Sequence, residues 1–270
     1  MSIRLSKSAL DKFTECPRCF WLKYARRFDQ PDMISSKVWK GVERVTQAHY
    51  DRHRQARTTP ENLVGQVPAG AIPYQADRIS MKDLRYWGKG LRFAVGGVEV
   101  TTALDDMLQR EVAGGPGSTC YNVIDFKSKS KPTDEQATAD LYQNQADVFD
   151  LACNVNGYPT DGNVYFDYWY PIEVVKGIER IGEGYGLTQQ HWGSQVIVLR
   201  ADHARIKSLI VKAAACLESV IPEPTIRTVK GKKVDRTEGC AVCLYVAGYA
   251  ALFKKDSPAI DAAGGQEVGA

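Results

Sequence analysis

The sequence predicts an α/β fold, a mixed central sheet flanked by helices, with an N-terminal helical region and a C-terminal cysteine clamp. Three observations predict it. Residues 98–131 alternate apolar and polar side chains on either side of the turn Gly114-Gly115-Pro116-Gly117, the pattern of two paired strands. Residues 133–156 and 202–220 place apolar side chains at helical spacing, so strands and helices alternate along the chain. Two Cys-x-x-Cys pairs, Cys16/Cys19 and Cys240/Cys243, stand near opposite ends.

Length and composition set the frame. A chain of 270 residues can bury a sizeable core, read here as one domain over residues 1–255. Residues 54–84 are read as an insertion or long loop, and the small, polar stretch 256–270 as a disordered tail. The net charge of +3 is mild, so a nucleic-acid binder would have to cluster its basic groups locally. No run of eighteen apolar residues occurs, and MSIRLSKSAL lacks the apolar core of a signal peptide, so a cytoplasmic place and no membrane partner are expected. In that reducing compartment the seven cysteines read as ligands and core residues, not as a disulfide framework.

Taken in order, Ser6 can cap a helix carrying Leu10 and Phe13. Cys16-Pro17-Arg18-Cys19 follows, then Phe20, Trp21 and Tyr24 on a second stripe. Proline is tolerated only in the first turn of a helix, so Cys16 stands at the junction. Residues 36–53 read as a helix carrying Gly41, Glu43, His49 and His53, with both histidines exposed to solvent. Residues 57–80 show no period and read as a long connection. Residues 87–100 alternate around Gly96-Gly97, a hairpin turn, and lead into the acidic strand pair. In the helix 133–156, Leu141, Val148, Phe149 and Ala152 form an apolar face that also carries Gln145, and Gly157 stops it. Strands 163–176 and 194–200 are separated by a Gly-rich loop. It lacks the Gly-Lys-Ser/Thr ending of a P-loop and is assigned no nucleotide. Asp202 caps a helix with Ile206, Leu209, Ile210, Ala213, Leu217 and Val220 on one face. A basic, extended stretch with Arg227, Lys230, Lys232, Lys233 and Arg236 precedes Cys240, and an apolar helix runs on to Phe253.

The chemistry-bearing pattern lies in residues 98–131. Side chains two apart in a strand share a face, so Asp125 and Lys127 point one way, and Ile124 and Phe126 the other. Strand pairing brings Asp105 beside Asp125, or Asp106 if the register slips by one. Two carboxylates and a lysine at a strand end can hold a hard divalent cation, Mg²⁺ or Mn²⁺, next to a phosphate. Lys129 and Lys131 continue the face of Lys127 and are natural phosphate-positioning residues. Thiolates two residues apart can chelate one ion, and two such pairs complete a tetrahedral site.

Asp105…Asp125-x-Lys127 resembles the active site of the PD-(D/E)XK nuclease superfamily. LSKSALDKFTECPRCFWLKY resembles the opening of its RecB-type branch, which includes the CRISPR-adaptation exonucleases. QADVF, from Gln145, is similar to that branch's Gln-x-x-x-Tyr motif, with Phe149 for Tyr. The resemblance spans about residues 5–249 and departs in two places. Four residues after Gly41 stands Val45 in place of a metal-facing histidine; Glu43, His49 or no residue takes over. Tyr249 replaces the last cysteine of the C-terminal pattern, while Cys19 is an added N-terminal one.

The resemblance implies a restriction-endonuclease-like core and a metal-dependent nuclease that cleaves DNA phosphodiester bonds. It would act as an exonuclease on ends or single strands, in recombination, repair or phage or CRISPR-type processing. Asp105, Asp125 and the carbonyl of Phe126 would hold Mg²⁺ or Mn²⁺, Lys127 would act at the nucleophile or phosphate, and Gln145 would support them. Cys16, Cys19, Cys240 and Cys243 would hold a [4Fe–4S] cluster, or Zn²⁺ by the symmetry of the pairs. A helicase, integrase or recombination protein would be the partner besides DNA. The alternative is a non-catalytic nucleic-acid-binding or scaffold protein on the same fold, favoured by the missing histidine.

Overall fold

The computed structural model describes residues 3–28, 38–113, 118–181, 184–223, 226–229, 236–240 and 242–243. It is α/β, with mixed sheets flanked by helices. The first elements are β1 (Arg4–Ser6), α1 (Lys7–Glu15), α2 (Pro17–Arg26), α3 (Val38–Ala56), β2 (Ile72–Pro73) and α4 (Met81–Leu84). Strands β3 (Leu91–Val95), β4 (Val98–Thr102), β5 (Asp106–Glu111) and β6 (Thr119–Ser128) follow, then α5 (Glu135–Val155). The remainder is β7 (Asn163–Ile181), β8 (Gly184–Arg200), α6 (His203–Glu218), β9 (Ile226–Val229) and β10 (Arg236–Gly239). The chain divides into two units, one of Met1–Asp11 with Pro31–Ala214, the other of Lys12–Gln30 with Ala215–Ala270. Among the described residues no helix is long and apolar enough to cross a membrane.

In the first unit, five strands pair in the order β2-β5-β6-β7-β8. Among the described residues of this five-stranded sheet only the β6–β7 pair is parallel. Parallel neighbours need a crossover, and α5 supplies it. Ile124 and Phe126 of β6 join Leu108 of β5 and Tyr165 of β7 in a core closed by Tyr50 of α3 and Leu63. Each such side chain contributes roughly 1.5–3 kcal/mol on burial, so the face of β6 that carries them is fixed. Asp125 and Lys127 are thereby committed to the opposite face, toward α5. At the start of helix α5 Asp134 accepts from the Ala137 N–H at 2.7 Å, and Gly157 follows its end as expected, with φ +79°. Val148, Phe149 and Ala152 are buried, but Leu141 is 58% exposed, and the early turns of α5 meet the sheet through Thr138 and Tyr142 instead.

The stretch 98–131 forms three strands, not two. Strand β4 pairs with β1 and β3 in a sheet of its own, while β5 joins β6. Between them the Leu104 N–H donates to the Leu84 carbonyl at 3.0 Å, which ends one ladder and turns the chain before the next. Gly90 makes that turn possible, since a Cβ there would sit 2.2 Å from the Thr102 carbonyl oxygen. The hairpin at Gly96-Gly97 forms as expected, both residues at positive φ. The expected Gly-rich loop after residue 176 is strand instead. Strands β7 and β8 stay paired from Asn163↔Arg200 to Ile181↔Gly184, with irregularities at Pro171/Glu173 and Val174/Lys176. Glycine and proline there read as loop composition, yet Gly184, Gly186 and Gly193 each keep a partner in the ladder, which continues past the irregularity at Pro171. Residues 57–80 are not bare connection either, since they supply a 3₁₀ turn, Glu61–Leu63, and the edge strand β2.

In the second unit, Pro17 takes the first position of α2 and Cys16 its extended N-cap, as the sequence requires. Trp21 donates its indole N–H to the Ser219 carbonyl at 3.1 Å. Strands β9 and β10 pair antiparallel and deliver Cys240 at their end. Lys230, Lys232, Lys233, the helix expected through Phe253, the turn at residues 114–117 and the tail 256–270 lie outside the described residues.

Candidate functional site

The β5–β6 register runs from Glu111↔Thr119 to Asp106↔Ile124, and one further step sets Asp105 opposite Asp125. Asp105 Oδ2 accepts the Phe126 N–H at 3.0 Å, which orients its carboxylate across the end of β6. Asp125 is 2% exposed. Its Oδ1 accepts from Gln145 Nε2 at 2.6 Å. Its Oδ2 is buried and meets the Lys127 ammonium as an ion pair. Burial, then the charge of Asp125, pushes the Asp105 carboxyl well above the ordinary carboxylate range, with Lys127 and the Phe126 N–H opposing. Burial works against the charge of Lys127, but Asp125 outweighs it and holds the ammonium above its ordinary value. Two buried carboxylates that repel, the second held against the Lys127 ammonium, form a donor set that fits a divalent cation.

Gln145 is the hub that the inward face of α5 predicts. While its Nε2 serves Asp125, its Oε1 accepts from Lys127 Nζ at 3.3 Å and from Lys7 Nζ at 2.9 Å. Lys7, at the start of α1, carries no signal in the sequence. Its helix is set by Ser6, whose Oγ accepts the Ala9 N–H at 3.0 Å. The Lys127 ammonium also stands 4.4 Å from the centre of the Tyr142 ring, a cation–π contact that fixes the amine.

Asp106, the alternative acid, goes elsewhere. It is fully buried and takes Arg54 at 2.6 and 2.8 Å and Arg85 at 2.7 Å. Asp51 completes this cluster, its carboxyl lowered against its own burial by Arg85 and Arg54. Both guanidiniums are thus used on the far side of the residue, and Asp105 is left to face Asp125.

A cavity of ≈ 260 Å³ opens at this strand end, lined by Lys40, Glu43 and Thr46 of α3 together with Phe126, Lys127, Ser128 and Trp169. Glu43 acts on Asp105 electrostatically and raises its carboxyl further. An apolar cavity of ≈ 400 Å³ adjoins it through Val42, Thr46 and Trp169, and reaches Val45, His49 and Trp192. Lys129 lies just past β6, its Nζ donating to Thr133 Oγ1 at 2.9 Å and standing 5.1 Å from the Tyr168 ring centre. Lys131 is exposed beyond the strand. His49 and His53 are not the exposed pair the sequence indicates. Their side chains are 21% and 15% exposed and turn toward Glu61.

The two cysteine pairs converge. Cys16, Cys19, Cys240 and Cys243 are all buried, with sulfur separations of 3.3 Å (19–240), 3.6 Å (16–243) and 3.7 Å (19–243). All four sulfurs lie within 4.8 Å of one another, and none forms a disulfide. Burial, then the neighbouring Cys16 thiol, pushes Cys243 up to about 11. Four buried thiols packed this closely can share one ion as thiolates, so this group can bind Zn²⁺ or an iron–sulfur centre. Cys120 and Cys153 are buried core residues apart from it.

No family model matches this chain, and no curated protein matches it.

Proposed function

We propose that this chain is a metal-dependent nuclease with a restriction-endonuclease-like core of the PD-(D/E)XK type, cleaving DNA phosphodiester bonds at ends or in single strands. The observation that carries the reading is the convergence of Asp105, Asp125, Lys127 and Gln145 at the end of β6, beside a cavity that Lys40 also lines. Asp105 and Asp125 would hold Mg²⁺ or Mn²⁺, and the Phe126 carbonyl between Asp125 and Lys127 is a third oxygen on the same strand. Such an ion, when bound, supplies a Lewis acid for the phosphate and an acidified water.

The chain's own residues do the rest. Gln145 fixes the Asp125 carboxylate and restrains the Lys127 ammonium with the two ends of one amide. Lys127, held charged, supplies a cation for the phosphate or the nucleophile. Lys40 lines the same cavity, and Lys129 follows two residues after Lys127, just past the end of β6. Glu43, four positions before Gln47 on α3, takes the place of the absent histidine as the α3 group electrostatically nearest Asp105. Trp169 and Trp192 offer aromatic surface next to this cavity, on which an unpaired base can stack.

For the cysteine centre we favour a single Zn²⁺. Tetrahedral Zn–S bonds of about 2.3 Å place sulfurs about 3.8 Å apart. The observed 3.3–3.7 Å separations lie close to that. A [4Fe–4S] cubane puts each thiolate on a different iron and spreads the sulfurs farther.

The test is degradation of end-labelled single- and double-stranded DNA with Mn²⁺, Mg²⁺ or EDTA, wild type beside Asp125→Ala. Cleavage that requires both the metal and Asp125 is expected. Metal-independent cleavage, or full activity in Asp125→Ala, overturns the assignment; DNA binding without cleavage moves it to a scaffold.

A further inference from the structure

Helix α3 carries His49 and His53 four residues apart, so both imidazoles leave the same face of the helix. The chain then turns at Arg57, φ +53°, and brings back the 3₁₀ turn Glu61–Leu63. Glu61 Oε2 lies 3.0 Å from His53 Nε2 and 3.7 Å from His49 Nε2. One donor atom from each of the three residues falls within 4.8 Å of the others. A four-coordinate ion with bonds of about 2.0–2.1 Å needs donors about 3.3–3.4 Å apart. The two histidine–carboxylate separations bracket that distance.

The surroundings fix which atoms face inward. The Thr58 N–H donates to the His53 carbonyl at 3.0 Å, which holds the Thr58 hydroxyl 2.8 Å from His53 Nδ1. A proton on Nδ1 shared with that hydroxyl leaves the Nε2 lone pair toward Glu61, the outer-shell arrangement that metal-binding histidines use. Asn62 donates its amide N–H groups to Asp167 at 3.0 Å and Ser194 at 3.3 Å. Its Oδ1 is thereby turned to within 3.3 Å of His49 Nε2 and supplies a fourth, oxygen donor. Glu61 is 79% exposed at the side chain, so the site opens to solvent and an ion can enter.

We infer that His49, His53 and Glu61, with Asn62 Oδ1 beside them, bind one borderline divalent cation of the Zn²⁺ class. Two imidazole nitrogens and carboxylate or amide oxygens suit Zn²⁺ better than Mg²⁺, which prefers oxygen alone. The site uses none of Asp105, Asp125 or the four clustered cysteines, and the inference stands whether or not the chain is a nuclease. The bound ion ties the end of α3 to the following turn. Because α3 also carries Glu43 and Thr46, it stiffens one wall of the larger site.

The experiment is equilibrium dialysis of the full chain against buffered Zn²⁺, with zinc counted per chain, for wild type and Glu61→Gln. Glu61 is exposed, so its substitution leaves the fold intact, and the cysteine centre is the same in both. Wild type is expected to hold one zinc equivalent more, with a Zn²⁺-induced rise in melting temperature that Glu61→Gln lacks. The variant's affinity for this equivalent should fall roughly tenfold or more. Equal zinc content and equal melting shifts across the titration mean that the cluster is an ion pair and overturn the inference.

Discussion

Asp105 and Asp106 are neighbours in sequence, yet the structure gives them opposite consequences when they are replaced. Asp106→Ala removes a fully buried carboxylate that receives three hydrogen bonds from the guanidiniums of Arg54 and Arg85. Those side chains are only 13% and 17% exposed, so the variant leaves two nearly buried cations with Asp51 as their remaining carboxylate. Breaking such a pair by removing one partner costs about 3–5 kcal/mol. At about 2–4 °C per kcal/mol for a chain of this size, the melting temperature should fall by about 6–20 °C. Thermal melts read by circular dichroism, with urea titration as a second measure, test this; the urea midpoint should drop with little change in slope. Asp105→Ala should show no such loss. If Asp106→Ala melts within about 1 kcal/mol of wild type, the carboxylate is not anchored between the arginines and the separation of the two acids is wrong.

Three further outcomes follow from the same geometry. Lys7→Met removes one of two ammonium donors from Gln145 Oε1 and should lower the DNA-cleavage rate about tenfold, with stability changed by under about 1 kcal/mol, read by single-turnover cleavage and melts in parallel. Metal-free protein should lose stability as pH rises from the ordinary carboxylate range toward the raised value of Asp105. A raised acid favours the protonated fold below its unfolded pKa, and that contribution disappears as pH passes the folded one; Asp105→Asn should flatten the slope in melts across that window. Cys240→Ser should lose the metal of the cysteine centre and lower the melting temperature, since binding energy at such a centre is folding energy; metal content and a melt on one sample check it.

The parts of the fold legible in the sequence are those that depend on short periods. Alternation at residues 121–128 predicts the buried and polar faces of β6, and the packing of Ile124 and Phe126 against Tyr50 follows from it. Ser6 and Asp202 cap helices where a cap was expected, because capping is decided within four residues. The break between β4 and β5 was not legible. Residues 98–110 keep a strand-like pattern, and what divides them is a hydrogen bond to Leu84 and the close approach of Gly90. The length of β7 and β8 was hidden for the opposite reason, since their glycines imitate a loop.

The site divides along the same line. Spacing shows that Asp125 and Lys127 share a face and that the cysteines come in pairs, and the placement of Gln145 follows from helical period. Choosing Asp105 over Asp106 needed Arg54 and Arg85, which no local pattern ties to the strand. Lys7 reaches Gln145 from 138 positions away, and His53 finds Glu61 only because the chain reverses after α3. Each missed residue is polar, partly buried and satisfied by a distant partner. The hydrophobic effect sets the frame, but charge pairs inside it are specified by whatever the frame brings together. Asp105 and Asp125 are the instructive case, because burial raises the cost of the Asp105 charge while strand register forces the two acids to meet. A fold tuned for stability alone would replace one of them by an amide. Keeping both acids beside a charged lysine is sensible when a divalent cation shares the site, and the sign of the metal's effect on the Asp105→Asn melt reads that out directly.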